Sequence, residues 1–228
     1  MARSTVLQRA VVQNEFIRRV YNWMALGLAV TAVTALYVVN SGLVFSLLSS
    51  PIVIIVLIVA ELGIVIALSA AIGKLQSSTA LFMFFAYAFL NGLTIAVIFL
   101  AYTKASIAST FFVTAGTFAV MSIYGYTTKS DLTSLGSFLM MGLIGIIIAS
   151  CVNFFFRSPA FYWLITYVGI AIFVGLTAYD AQKIKEMGYA GFSGSEDERK
   201  GAIIGALRLY LDFINLFLLL LRVLGRRN

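Results

Sequence analysis

Residues 206–225 read ALRLYLDFINLFLLLLRVLG. The run is long and apolar enough to cross a bilayer, which takes roughly 20 helical residues for about 30 Å of hydrocarbon. Yet Arg208 and Asp212 stand inside it, at i and i+4. Charge at that depth is expensive. Either the run stays out of the membrane, or its charges serve a purpose there.

Composition settles the first half of that choice. Of 228 residues, 61% are hydrophobic and 11% charged, against about 45–50% and about 25% in soluble domains. This is an integral membrane protein with almost nothing left for a soluble domain. The formal charge of +7 lies between apolar runs and at the ends of the chain. Cationic flanks of membrane spans explain it, and no nucleic-acid partner is expected. There is no histidine, so the usual sensor of the range between about pH 5 and 8 is missing. Histidine-ligated zinc and haem are excluded with it, and proton sensing falls to carboxylates. The single cysteine, Cys151, sits in an apolar run. It excludes a disulfide framework and is expected to be packed and inert.

Seven apolar runs lie near 21–40, 52–73, 80–102, 106–126, 135–156, 160–181 and 203–224. Barrel strands would alternate and be about half as long; IVIIVLIVAELGIVIAL, at 52–68, does not alternate. The expectation is an all-α integral membrane protein, a bundle of seven transmembrane helices over 21–228 after a cytoplasmic segment, 1–20. The first run is too long for a signal peptide and no small-x-small site follows it, so it is read as retained. With the N-terminus in the cytoplasm, inner segments hold ten Lys and Arg and outer ones five, as the positive-inside rule asks. The C-terminal cluster of Arg222, Arg226 and Arg227 runs against that count. A cytoplasmic C-terminus would make the seventh run re-entrant; its length favours a seventh span. Residues 187–201, MGYAGFSGSEDERKG, read as a flexible cytoplasmic loop. Within it Ser195 and Glu198 form a capping-box pattern, and Gly201 and Gly205 a G-x-x-x-G pair suited to close packing.

Six of the nine acidic residues flank spans or sit in loops; Glu61, Asp180 and Asp212 do not. An ionisable residue inside a span is a functional candidate by default. Asp212 lies roughly 14–18 Å along the last helix, close to mid-membrane. Asp180, in GLTAYDAQKIK, lies nearer the cytoplasmic end of the sixth run. The two helices are consecutive and so are expected to be neighbours. Two adjacent carboxylates in a low dielectric cannot both stay ionised cheaply, so the pair can share one proton. Deprotonated, Asp180 and Asp212 are hard oxygen ligands suited to Ca²⁺, with backbone carbonyls and water completing roughly six to eight positions. A blander reading makes Arg208 and Asp212 an intrahelical ion pair, with Arg208 snorkelling toward the cytoplasm. The functional one is favoured because such a pair costs more than two leucines. Glu61 is read equally well as a site residue or as a protonated, hydrogen-bonded carboxyl. Asn91, Asn153 and Asn215 line a path or act as interhelical glue, worth about 0.6 kcal/mol each. No nucleophile–His pair, phosphate-cradling glycine loop or HExxH occurs. No enzyme and no cofactor are expected, beyond Ca²⁺ as a bound or permeant ion.

GLTAYDAQKIK at 175–185 and LYLDFINLFLLLLRVLG at 209–225 resemble the two signature segments of the Bax inhibitor family, also called the transmembrane Bax-inhibitor-motif or lifeguard family. YGYTTKSDLTSLGSFLMMGLIGIIIASCVNFF, at 124–155, is similar to its bacterial branch. The resemblance implies seven helices with the last one central. It also implies a pH-sensitive calcium leak gated by an aspartate pair, which falls on Asp180 and Asp212, with the second-helix glutamate at Glu61. Some members carry a latching arginine near the end of the second helix. Here that stretch reads SAAIGKLQ and offers only Lys74, so Arg208 is the candidate for the latch, because an opposite charge stabilises carboxylates. Two other functions stay open: a non-conducting regulator of stress response or membrane proteolysis, with membrane-protein partners, and a proton-coupled cation exchanger. Short loops and the lack of a targeting extension point to a bacterial inner membrane.

Overall fold

The computed structural model describes residues 2–192 and 194–228, with side chains from residue 13 onward. Met1 and the side chains of 2–12, part of the expected segment 1–20, lie outside the described residues. Nine helices form among those described: α1 Ala2–Asn40, α2 Leu43–Ser49, α3 Pro51–Ala71, α4 Ser77–Ile95, α5 Ile98–Ala101, α6 Lys104–Thr127, α7 Thr133–Phe156, α8 Pro159–Ala190 and α9 Ser195–Leu224. Helices are what a membrane-spanning backbone must form, because hydrocarbon offers no partner to an open N–H or C=O. Both prolines of the chain, Pro51 and Pro159, open helices, where a missing N–H costs nothing.

Seven stretches are long and apolar enough to cross a membrane: Gln13–Asn40, Pro51–Ala71, Ser77–Ala101, Lys104–Thr127, Thr133–Phe156, Pro159–Ala190 and Ser195–Leu224. These are the seven expected runs. The last helix is the most enclosed, with 67% of its most apolar window buried against 6% for α3 and 11% for α7. It is also continuous from 195 to 224, about 45 Å at 1.5 Å per residue, with no re-entrant break.

The described chain divides into two compact units. The first comprises Met1–Tyr102, Glu186–Tyr210 and Asn228; the second comprises Thr103–Lys185 and Leu211–Arg227. In the first, α4 lies close on α1. A Cβ on Gly92 would come within 2.8 Å of the Thr31 carbonyl oxygen, so only glycine fits that crossing. In the second, Leu139, Ile172, Phe173, Leu176, Leu216 and Leu219 form a buried core between α7, α8 and α9.

Three expectations are corrected. Of the flexible loop expected over 187–201, residues 187–190 and 195–201 are helical instead, because α8 runs on to Ala190 and α9 starts at Ser195. Apolar packing drives this: the Phe192 ring lies 4.9 Å from that of Phe16, which is fully buried, and Gly201 leaves room for Phe192 beside it. Gly191 makes the turn in the left-handed region at φ 74°. Glu198 N donates to Gly194 O at 3.2 Å, so Gly194 rather than Ser195 flanks the first turn, one residue off the capping-box register. Cys151, expected to be packed, is exposed, because α7 is among the least enclosed helices.

Candidate functional site

Asp180 and Asp212 are both buried, at 9% and 4% exposure, and both fall in the second unit. Their position follows from helical spacing. Leu176 and Leu216 belong to one core cluster. Asp180 is four residues after Leu176 and Asp212 four residues before Leu216, so each aspartate shares a helix face with its leucine. The connection between α8 and α9 is four residues, 191–194, so the helices run antiparallel. One turn from the Leu176–Leu216 level, toward that connection, both helices therefore present an aspartate.

The turn that carries Asp180 is fixed from outside. Gly125 of α6 lies against the Ala178 backbone, and Gly136 of α7 against the Tyr179 ring; a Cβ on either would overlap them. Gln182, itself buried, accepts from Leu132 N at 2.8 Å and donates to Ser130 O at 2.9 Å, which ties down the 128–132 connection. Lys183 Nζ donates to Thr133 Oγ1 at 3.0 Å and Lys185 Nζ to Tyr126 O at 2.7 Å. On the other helix, Phe213 follows Asp212 and packs its ring edge-on against Phe111 and Phe118, at 5.4 and 5.5 Å. Leu209, Phe213 and Leu216, within a turn of Asp212 on α9, are buried with it.

The remaining candidates go elsewhere. Glu61 is half-buried in the first unit. Thr94 Oγ1 donates to its Oε1 at 2.9 Å and Asn91 Nδ2 to its Oε2 at 3.3 Å. The Tyr210 hydroxyl donates to Asn91 Oδ1 at 3.1 Å and lies 2.6 Å from Thr31 Oγ1. Thr31 Oγ1 in turn lies 2.9 Å from Ala88 O. Four helices thus share one polar chain, Glu61–Asn91–Tyr210–Thr31, which fits the hydrogen-bonded reading of Glu61. Thr94, Tyr210 and Thr31 were not among the candidates. The signal available for Tyr210 was its place two residues before Asp212; a threonine in an apolar helix gives none. Asn215 Nδ2 donates to Leu211 O at 2.8 Å, a bond within its own helix. Arg208 is exposed, while Leu207, Leu209 and Tyr210 beside it are buried.

Among the described residues no three His, Cys, Asp or Glu side chains cluster to hold a metal. A cation at the aspartates would draw its other ligands from backbone carbonyls and water, an arrangement suited to weak, exchangeable binding.

The family model described as "Inhibitor of apoptosis-promoting Bax1" matches residues 13–228. The chain is 52% identical over 227 residues to "Inner membrane protein YbhL" of Escherichia coli strain K12, covering 99% of this chain and 97% of that one. It is 45% identical over 222 residues to an uncharacterized protein of Borreliella burgdorferi, covering 97% and 96%. It is 35% identical over 224 residues to an uncharacterized membrane protein of Streptococcus pyogenes serotype M3, again covering 97% and 96%. With a seven-span helical architecture and a family match over nearly its whole length, the chain belongs to the Bax inhibitor family.

Proposed function

We infer that the protein is a pH-sensitive cation leak of the bacterial inner membrane, with Ca²⁺ as permeant ion and the Asp180/Asp212 pair as gate. One observation carries the reading: two buried aspartates lie one turn from a shared leucine core on consecutive antiparallel helices. Bland packing would put apolar side chains there, since buried carboxylates cost stability. The ionised pair supplies two anionic oxygens to a passing cation. When the pair holds a proton, one of those charges is gone and so is much of the attraction. Arg208, four residues before Asp212, is proposed as the charge that biases this equilibrium toward the ionised form. The membrane assignment draws on the E. coli relative, an inner membrane protein by name. A cytoplasmic N-terminus is proposed from the charge balance of the connections.

The test is Ca²⁺ entry into dye-loaded liposomes between pH 5 and 8, for wild type and Asp212→Asn. The expected result is flux that varies with pH in the wild type and is flat in the variant. Arg208→Leu is expected to move the wild-type pH profile without abolishing flux. Absence of flux at every pH, in protein shown to be folded, would sink the leak and leave a non-conducting regulator. Saturable flux coupled to proton counterflow would replace it with an exchanger.

A further inference from the structure

We propose that a cavity at the end of the second unit is a binding site for the phosphate-bearing headgroup of an anionic membrane lipid. The cavity is about 590 Å³ and is lined by Arg157, Arg222 and Arg227, with Tyr162, Trp163 and Asn153 among its walls. No acidic side chain lines it. Three arginines lining one hollow repel each other, and an anion bound among them turns that repulsion into attraction. Guanidinium forks match phosphate oxygens in pairs, and the volume lies within the usual range for a small-molecule site, about 300–1,000 Å³.

The local fold holds these arginines at a cost to itself. Arg157 ends α7 in the left-handed region, at φ 50° and ψ 34°, and is the sole non-glycine residue with positive φ among those described. Its N–H donates to Asn153 O at 2.7 Å, a C-terminal cap of the kind glycine makes without strain. A side chain kept in a backbone conformation that penalises it points to a use for that side chain. Asn153 Oδ1 also accepts from Ser158 N at 3.0 Å, which fixes the α7–α8 turn. Arg222, in the last turn of α9, stacks over the Tyr162 ring at 5.3 Å, so its guanidinium is held in place before any ligand arrives.

The surroundings decide between a lipid and a soluble phosphate. Phe154, Phe155 and Phe156, which precede Arg157, are 73%, 81% and 79% exposed, and Trp163 in the wall is 42% exposed. Exposed aromatic residues at the end of a span mark the level where headgroup meets acyl chain. A basic hollow beside them suits an amphiphile, its phosphate among the arginines and its chains along the phenylalanines. The same site accounts for C-terminal arginines that the positive-inside rule does not.

The chain has two tryptophans, Trp23 and Trp163. Trp23→Phe leaves Trp163 as the reporter at the site. The full-length protein in vesicles containing either brominated phosphatidylglycerol or brominated phosphatidylcholine then gives a relative affinity from quenching of Trp163. The expected result is a preference for the anionic lipid of about a hundredfold, given three cationic side chains, lost when Arg157 and Arg222 are both changed to Gln. Arg157→Gly separates ligand binding from structure. It relieves the left-handed strain, so melting temperature in phosphatidylcholine holds or rises while the lipid preference falls. Equal quenching by both lipids in the reporter protein overturns the proposal, as does a preference that survives the double substitution. Displacement of the anionic lipid by millimolar inorganic phosphate assigns the cavity to a soluble anion and overturns the lipid assignment.

Discussion

The two halves of the last helix handle charge in opposite ways. In its first half, within the first unit, two of the three acidic groups in the opening turn have a local partner. Glu196 takes Ser77 N at 2.6 Å and Ser77 Oγ at 2.8 Å, capping α4, whose own flanking residue Gln76 makes no side-chain cap. Glu198 lies 3.2 Å from Arg19. Tyr210 closes the half by joining Thr31 to Asn91. In its second half, within the second unit, Asp212 is buried at 4% exposure, and Arg222 joins two other arginines around one cavity. Charge of the first kind builds the fold. Charge of the second kind is concentrated by sign, as binding a mobile ion or an anionic ligand requires.

If the first half is structural, its largest contribution should come from packing. Phe16 is fully buried against Phe192 and Gly188, so Phe16→Ala is expected to cost about 3–5 kcal/mol. In a chain of this size that lowers Tm by roughly 10 °C, readable by thermal unfolding in detergent. A drop of only a degree or two would mean that this end is held by something else. Tyr210→Phe comes next. It removes one hydroxyl from the polar chain and is expected to cost about 0.6–1.5 kcal/mol. Its liposome flux should keep the wild-type pH dependence. A flux that went flat would join Tyr210 to the proposed gate and erase the contrast between the halves.

Much of this was legible in the sequence, for physical reasons. Hydrocarbon thickness sets the length of a span, so the seven runs could be counted, and the cost of buried carboxylates singled out Asp180 and Asp212. What stayed hidden depends on contacts between distant segments. Nothing local marks Thr31, Thr94 and Tyr210 as partners, since the residues of that chain run from 31 to 210. The connection after α8 reads as a polar loop because glycine, serine and charge dominate it, whereas its fold is decided by Phe192 docking on Phe16. The C-terminal arginines read as a breach of a topology rule until Arg157 and Tyr162 are found beside them.

Smaller effects sharpen the comparison. Arg19 and Glu198 are 39% and 21% exposed. An ion pair this accessible is worth about 0–1 kcal/mol, and Arg19→Gln should lower Tm slightly at low salt and not at all near 1 M. A loss that persists in high salt would show the pair to be buried in the bilayer environment.

The smallest effect separates the pH response of the fold from that of the proposed gate. Asp131 lies in the connection before α7, and its Oδ1 accepts from Thr133 N at 2.8 Å. The hydroxyl and N–H of Thr133, with the charge of Lys183 behind them, hold this exposed carboxyl below its ordinary value of 3.8. A carboxyl with a lowered folded-state pKa contributes stability that is complete above the unfolded value. That contribution disappears as pH falls through the folded one. The Tm difference between wild type and Asp131→Asn should therefore be constant from pH 8 down to about 4 and shift against the wild type below that. Flux between pH 5 and 8 should be the same in both. A changed flux profile in Asp131→Asn would mean that a loop carboxylate, and not the buried pair, sets the pH response.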